Sequence, residues 1–365
     1  MSTIRVLELH GADPTKWGEQ HGESFRDDVQ AIAAIRMELT LSRTDLGNRE
    51  NVLALARHHL PLLEKFDAAL FAELKGIAKG AKLTPEEIVV VNHYTDLRDL
   101  GLKDLSRLNG DIDGCSALFL AAGNERILAQ TWDMHGSAEP YALLIKIPAL
   151  PDGSPVSKVN QAGIPQSGST VVFSITGCLG MTGMSSWGVG LTINNLNSTD
   201  ATLGIVWPAL VRKTLRQPSA PAMRELIMNA PIGSGRHYIV ADDTEMYGIE
   251  TSGTKKKIIQ QGGNGPYFHT NHCVDDEMIG TCRILPGSTT LQRYATLGEL
   301  VKKRLPTDMK SVFDALEPVG LKHNPKSPHD VATCGGIVMD LTARNVMACT
   351  GIPNADADAI VVEVR

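Results

Sequence analysis

Asp113-Gly114-Cys115-Ser116 is the stretch on which the reading of this chain turns. It closes a polar, turn-like run, Asn109-Gly110-Asp111-Ile112-Asp113-Gly114, and opens an apolar one, Cys115-Ser116-Ala117-Leu118-Phe119-Leu120. A cysteine heading a strand just after a glycine is placed to become a new N-terminus. Cutting the Gly114–Cys115 bond leaves a thiol and a free α-amine on one residue, a nucleophile beside its own base. Glycine before the cut suits a strained, positive-φ peptide. The plainer alternative is a buried cysteine at the head of a core strand.

The chain changes character at this point. Residues 14–98 read as helices, with apolar residues at Val52, Leu53, Leu55, Ala56, Leu60, Leu62 and Leu63 recurring every three or four positions. Pro61 breaks or kinks that run. Thr84-Pro85-Glu86-Glu87 is a helix start, with Thr84 as cap, Pro85 in the first turn and two carboxylates at the positive end of the dipole. That helix is expected to run to Thr95.

After Cys115 short apolar runs alternate with Gly, Asn and Asp. Strands are expected at 115–121, 127–132, 142–147, 170–175, 188–194, 236–241, 246–250, 266–270, 335–340, 345–349 and 359–364. Turns are expected at Gly123-Asn124-Glu125, Asp242-Asp243-Thr244 and Thr342-Ala343-Arg344. Helices are expected at 204–216, 219–229, 289–304 and 308–316. The Pro/Gly/Ser-rich stretch 150–169 reads as a surface excursion or a lid. Many hairpins and few βαβ units point to an α+β fold of two packed antiparallel sheets with helices outside, one of several such arrangements.

Bulk properties exclude several classes. The 365 residues are 42% hydrophobic and 21% charged, with a formal net charge of −6. No basic excess suggests a nucleic-acid partner. Lys255-Lys256-Lys257 reads as a solvated turn between strands. No run of eighteen apolar residues suggests a membrane span, and no signal peptide is apparent. Six cysteines without C-x-x-C spacing fit reduced thiols and a cytoplasmic location.

Further stretches then join Cys115. They are Gly18-Glu19-Gln20-His21-Gly22-Glu23, Glu73-Leu74-Lys75-Gly76-Ile77-Ala78-Lys79-Gly80-Ala81, Pro85-Glu86-Glu87-Ile88 and Trp132-Asp133. Later come Gly188-Val189-Gly190-Leu191-Thr192-Ile193-Asn194, His269-Thr270-Asn271-His272 and Ser288-Thr289-Thr290…Arg293-Tyr294. In this order the chain resembles the cysteine N-terminal-nucleophile amidohydrolases of the acyl-coenzyme A:6-aminopenicillanic acid acyltransferase type, the C45 peptidase family. The resemblance implies a four-layer α/β/β/α sandwich. It also implies an inactive precursor that cuts itself before the cysteine. Residues 1–114 would become a helical small subunit and 115–365 a large one, the two fragments staying associated in one domain.

The same resemblance assigns roles. Cys115 is the nucleophile and Gly114–Cys115 the autocleavage site. Asp133 matches the Trp-Asp motif, although Thr131 stands where the family carries asparagine; a strand-end carboxylate capping a turn is the alternative. Asn271 takes the oxyanion role, against a turn asparagine bonded to its own backbone. Ser116, Met134, His135 and His272 are substrate-side or supporting candidates. His135 is read either as facing the pocket or as a loop histidine in solvent. Asn194 and Asn195 read as strand-end caps, and Arg293 as either a functional group or a helix-surface ion pair. His269, His272, Cys273 and Cys282 fit no common zinc spacing, so no metal and no cofactor is expected. The implied partner is a small amide substrate, attacked by hydrolysis or by acyl transfer, with a homo-oligomer left open. A non-catalytic binding protein is the third reading.

Overall fold

The computed structural model describes residues 3–103, 108, 114–150, 158–159, 165–166, 168–303, 308–324 and 326–365. The turn-like run 109–113 and most of the expected lid, 151–157, 160–164 and 167, lie outside the described residues.

Two sheets form the centre. The strands are β1 (Arg5–Glu8), β2 (Gly114–Ala122), β3 (Glu125–His135), β4 (Ala142–Ile147), β5 (Lys158–Val159), β6 (Pro165–Gln166), β7 (Thr170–Ile175) and β8 (Thr182–Ser185). They continue with β9 (Gly190–Asn195), β10 (Arg236–Ala241), β11 (Met246–Thr251), β12 (Lys256–Gly262), β13 (Tyr267–His269), β14 (Val331–Asp340), β15 (Asn345–Thr350) and β16 (Ile360–Glu363). One sheet has the order β1-β4-β7-β8-β9-β10-β11-β12 and the other β13-β2-β3-β14-β15-β16. Among the described residues β5 and β6 pair with each other and with no other strand. Among the described residues all pairings are antiparallel except β1 with β4.

Side-chain alternation builds the layers. On β2, Cys115, Ala117 and Phe119 face the inter-sheet core, where they meet Leu144 and Phe173 of the other sheet. Leu118 and Leu120 face outward and pack on Leu297, Val312 and Phe313. Those belong to α9 (Thr290–Lys302), α10 (Met309–Ala315). The eight-stranded sheet turns Leu191, Tyr238 and Val240 outward onto Leu210, Met223 and Ile227, carried by α7 (Trp207–Leu215) and α8 (Ala220–Asn229). The result is the α/β/β/α sandwich.

The N-terminal helices are α1 (Pro14–Ser24), α2 (Arg26–Ser42), α3 (Arg49–Arg57), α4 (His59–Phe66), α5 (Ala68–Ala81) and α6 (Pro85–Gly101). Their break at His58 puts Pro61 in the first turn of α4, where its missing N–H costs nothing. Thr84 and Glu87 form a capping box on α6. α6 continues past Thr95 to Gly101, with a non-helical kink at His93. α1 and α5 cross through glycine: a Cβ on Gly18 would lie 2.0 Å from the Glu73 carbonyl oxygen, and one on Gly80 2.5 Å from that of Glu19. Two of the motifs that carry the resemblance are therefore packing devices. β1, from the N-terminal part, pairs with β4 from beyond Cys115, so the two parts share a sheet.

The lysine run differs from its expected place. Ser252–Lys255 makes the turn, closed by the Ser252 N–H donating to the Lys255 carbonyl at 2.7 Å. Lys256 and Lys257 open edge strand β12 instead. Lys256 is tied down, its Nζ donating to the Met228 carbonyl at 3.0 Å and to that of Ala230.

Candidate active site

Cys115 is the second residue of β2 and stands opposite Trp132, while Gly114 stands opposite Asp133. The two-residue turn at Gly123 (φ 57°) and Asn124 sets this register, bringing the end of β3 to the start of β2. Cys115 is 6% exposed. It lines a narrow cavity of about 30 Å³ with Gly114, Trp132, Met134, Ile193 and Trp207. Met134 lines this cavity and also belongs to the inter-sheet core cluster, so it fits both a lining and a core methionine.

The backbone of Cys115 is held at both ends. Its N–H donates to Asn271 Oδ1 at 2.9 Å. Its carbonyl accepts from Arg293 Nη1 at 2.9 Å and Asn194 Nδ2 at 3.0 Å. Arg293 also donates to Ser116 Oγ at 3.1 Å and Asn271 Oδ1 at 2.9 Å, and Nη1 lies 3.9 Å from Asp133 Oδ2. Asp133 Oδ1 accepts from Thr333 Oγ1 at 2.6 Å. Ser116 N–H donates to Thr131 Oγ1 at 3.1 Å, so the threonine in the asparagine position has its own contact with β2.

Asn271 is positioned by its neighbours. Its N–H donates to Thr290 Oγ1 at 2.8 Å, and one N–H of its amide donates to the Asn195 carbonyl at 2.9 Å. His272 Nδ1 lies 3.1 Å from the same Thr290 Oγ1 and 3.2 Å from Thr270 Oγ1. Burial first, then the neighbouring His269 and Arg293, pushes His272 down to about 4, so it is neutral at pH 7. His272 touches the group that orients Asn271.

Two expectations change. His135 is fully buried rather than in a solvent loop, and does not line the cavity beside Cys115. Its Nδ1 lies 2.8 Å from Ser137 Oγ, and burial pushes its pKa well below the usual value. Gly114 has no positive φ. Its requirement is space, because a Cβ there would lie 3.1 Å from Asp133 Oδ2 and 3.3 Å from Arg293 Nη2.

Arg293 resolves to the site side of its two readings: it is 3% exposed, reaches three groups around Cys115, and donates from Nε to Thr289 Oγ1 at the start of its own helix. Asn194 and Thr333 are site contacts that sequence reasoning missed. Asn194 ended a conspicuous motif, but a strand-end asparagine reads equally well as a cap. His269 and Cys273 are engaged elsewhere, His269 Nε2 at 3.0 Å from Glu250 Oε1 and Cys273 N–H at 3.3 Å from Cys282 Sγ. Among the described residues no three His, Cys, Asp or Glu side chains gather as a metal site. Among them, too, no helix is long and apolar enough to cross a membrane.

Known proteins share this arrangement of sequence. The family model for acyl-coenzyme A:6-aminopenicillanic acid acyl-transferase matches residues 120–330. The acyl-coenzyme A:6-aminopenicillanic-acid-acyltransferase 40 kDa form of Emericella nidulans is 23% identical over 265 residues, covering 72% of this chain and 67% of that protein. Penicillin V acylase from Agrobacterium tumefaciens superposes with a TM-score of 0.44 at 13% identity, over 68% of this chain and 86% of that one. A conjugated bile acid hydrolase mutant from Clostridium perfringens gives 0.43 at 14%, over 67% and 92%. The chain belongs to the acyl-coenzyme A:6-aminopenicillanic acid acyl-transferase family.

Proposed function

We propose that this protein is a self-processing cysteine amidohydrolase that cleaves a small linear amide through a Cys115 thioester. The observation that carries the reading is the grip on both backbone ends of Cys115, by Asn271, Arg293 and Asn194. Any buried backbone N–H and C=O needs a partner; here the partners are side chains from three separate segments, converging on the one residue that the cut would make an N-terminus.

In the uncut chain the Cys115 thiol attacks the Gly114 carbonyl carbon, the amide nitrogen leaves with a proton, and water opens the thioester. The freed amine inherits the place of the amide N–H beside Asn271 Oδ1. An α-amine has an ordinary pKa of about 7.7–8.0, so at neutral pH an appreciable fraction is free to take the thiol proton. Asp133, opposite Gly114, balances the ammonium form. In turnover the thiolate attacks the substrate carbonyl, and the second N–H of the Asn271 amide, the one not given to Asn195, donates to the oxyanion. The ammonium then protonates the leaving amine, and water releases the acid. Fragments 1–114 and 115–365 stay together through the β1–β4 pairing. A reducing cytoplasm suits this thiol.

Transfer of the acyl group to an amine is the second reading, favoured by the name of the Emericella nidulans relative. The test is direct. Wild-type protein should run as two fragments on a denaturing gel and release acid from an N-acyl amide panel without added amine. Cys115→Ala should remain one inactive 39.3 kDa chain. A processed or active Cys115→Ala protein overturns the proposal, and product formed only with added amine replaces hydrolysis by transfer.

A further inference from the structure

The cavity beside Cys115 is apolar along most of its wall but is also lined by Arg236, Thr95 and Asn195. Arg236 opens β10, is 2% exposed, and lies with its guanidinium 5.3 Å from the centroid of the Trp207 ring. That stacking holds the planar group in one orientation. Arg236 Nη2 donates to Thr95 Oγ1 at 2.6 Å and to Asp96 Oδ2, and Nη1 donates to the Gly235 carbonyl at 2.6 Å. A guanidinium carries five N–H donors. These contacts use three, leaving the Nε–H and one Nη1 N–H without an acceptor among the described residues.

Neither donor is among the sealed, unpartnered polar atoms, so both stay open to the cavity, where a ligand oxygen can replace water as their acceptor. The charges around it are already matched. Arg236 is paired with Asp96, and behind them Arg98 donates to Asp99 at 2.9 and 2.7 Å. Ser234 completes the second pair by donating to Asp99 Oδ2 at 2.6 Å. A carboxylate entering the cavity would bring an uncompensated buried charge. An ammonium would face a guanidinium. An uncharged oxygen meets neither penalty.

We infer that Arg236 is a specificity-determining residue, and that the substrate's acyl chain carries an uncharged hydrogen-bond acceptor, an ether, hydroxyl or carbonyl oxygen, that reaches the Arg236 donors from an otherwise apolar pocket. The inference rests on the amidohydrolase reading and deepens it. It separates neutral oxygen-bearing acyl groups from aminoacyl groups, which the same nucleophile would otherwise accept.

The experiment uses processed wild-type protein and amides of a single amine, with hydroxylamine present so that hydrolysis and transfer are both detected. The acyl groups are hexanoyl, its ether isosteres with oxygen at each chain position from C3 outward, glutaryl, and 6-aminohexanoyl. At least one ether should exceed hexanoyl in kcat/KM by about tenfold, the ordinary discrimination from a hydrogen bond to a charged donor. Glutaryl and aminohexanoyl should fall below hexanoyl. In Arg236→Met the ether preference should vanish while the ratio of other substrates holds, since a general loss of packing lowers all of them together. The wild-type series stands alone if that variant does not fold. Ethers equal to hexanoyl at every position, a preference for glutaryl, or an ether preference surviving in Arg236→Met overturns the inference. No turnover of any amide by the cut protein overturns the amidohydrolase reading itself, and this inference with it.

Discussion

Gly114 and Asp133 face each other across β2 and β3, so close that one methyl group on Gly114 would stand 3.1 Å from Asp133 Oδ2. The bond proposed to break and the carboxylate proposed to hold the new amine are cross-strand neighbours. Gly114→Ala should therefore leave the fold intact and disturb the geometry of cutting. Misplacement by a fraction of an ångström at a reacting centre slows a step by about 10–100-fold. A gel time course of processing, beside a thermal melt matching wild type within a few degrees, checks this. Cutting at the wild-type rate would mean that the neighbouring groups give way without consequence.

Arg293 binds the Cys115 carbonyl, Ser116 Oγ and Asn271 Oδ1 with one planar group. Arg293→Met should lower kcat by about 10²–10³ with a smaller change in KM, the usual loss when an electrostatic donor leaves a reacting centre. Arg293→Lys should not restore it, because a single ammonium cannot span three acceptors held in a fork. Steady-state kinetics of both variants, on protein shown to be cut, checks the split.

How far the sequence reveals this site varies from residue to residue. Cys115 and Asp133 are legible because a hairpin register follows from alternation and a short turn: the run 115–121, the Gly123–Asn124 break and the run 127–132 suffice. The Thr84 cap is legible because it is local. Arg293 is not, since one arginine on α9 faces solvent or core according to what lies against the helix. β1 escapes because four residues, Arg5–Glu8, form an edge strand paired in parallel with a segment 138 positions away. β8, Thr-Gly-Met-Ser, is buried on both faces and shows no alternation. β12 begins with the lysines that read as a turn. Gly114 was conspicuous in sequence for its flexibility, yet the structure requires it for its lack of a side chain.

Acid should destabilise the folded protein in a definite window. Burial is the main cause that pushes His21 and His93 down to about 3, and His272 to about 4. An unfolded histidine binds its proton near 6.5. Between those values the unfolded chain holds more protons than the folded one, so stability is full above about pH 6.5 and falls as pH drops toward 3–4. Each such histidine contributes a slope of up to about 1.4 kcal/mol per pH unit within the window. His21 Nε2 accepts the Gly177 N–H at 2.9 Å, a bond that a glutamine oxygen can accept in its place. Urea unfolding of wild type and His21→Gln from pH 7 to 5 should show a shallower dependence in the variant. Parallel curves would place the His21 proton equilibrium elsewhere.

The crossing of α1 and α5 should be among the least tolerant places in the fold. A Cβ on Gly22 would lie 2.4 Å from the Ile77 carbonyl oxygen and 2.7 Å from the Ala81 nitrogen, both backbone atoms that no rotamer change can move. Ala normally favours a helix over Gly by about 1 kcal/mol. Here that gain is overridden, because the two helices must separate and expose the apolar cluster that includes Leu74 and Ile77. Gly22→Ala should cost on the order of 2–4 kcal/mol, in the range of strained core substitutions. Gly262→Ala, on the edge strand with nothing within 4 Å of the new Cβ, should fall within about 0.5 kcal/mol of wild type. Denaturant midpoints of the two variants, measured side by side, test whether the glycines of the Gly-x-x-x-Gly segments are kept for helix contact; equal midpoints would remove that explanation.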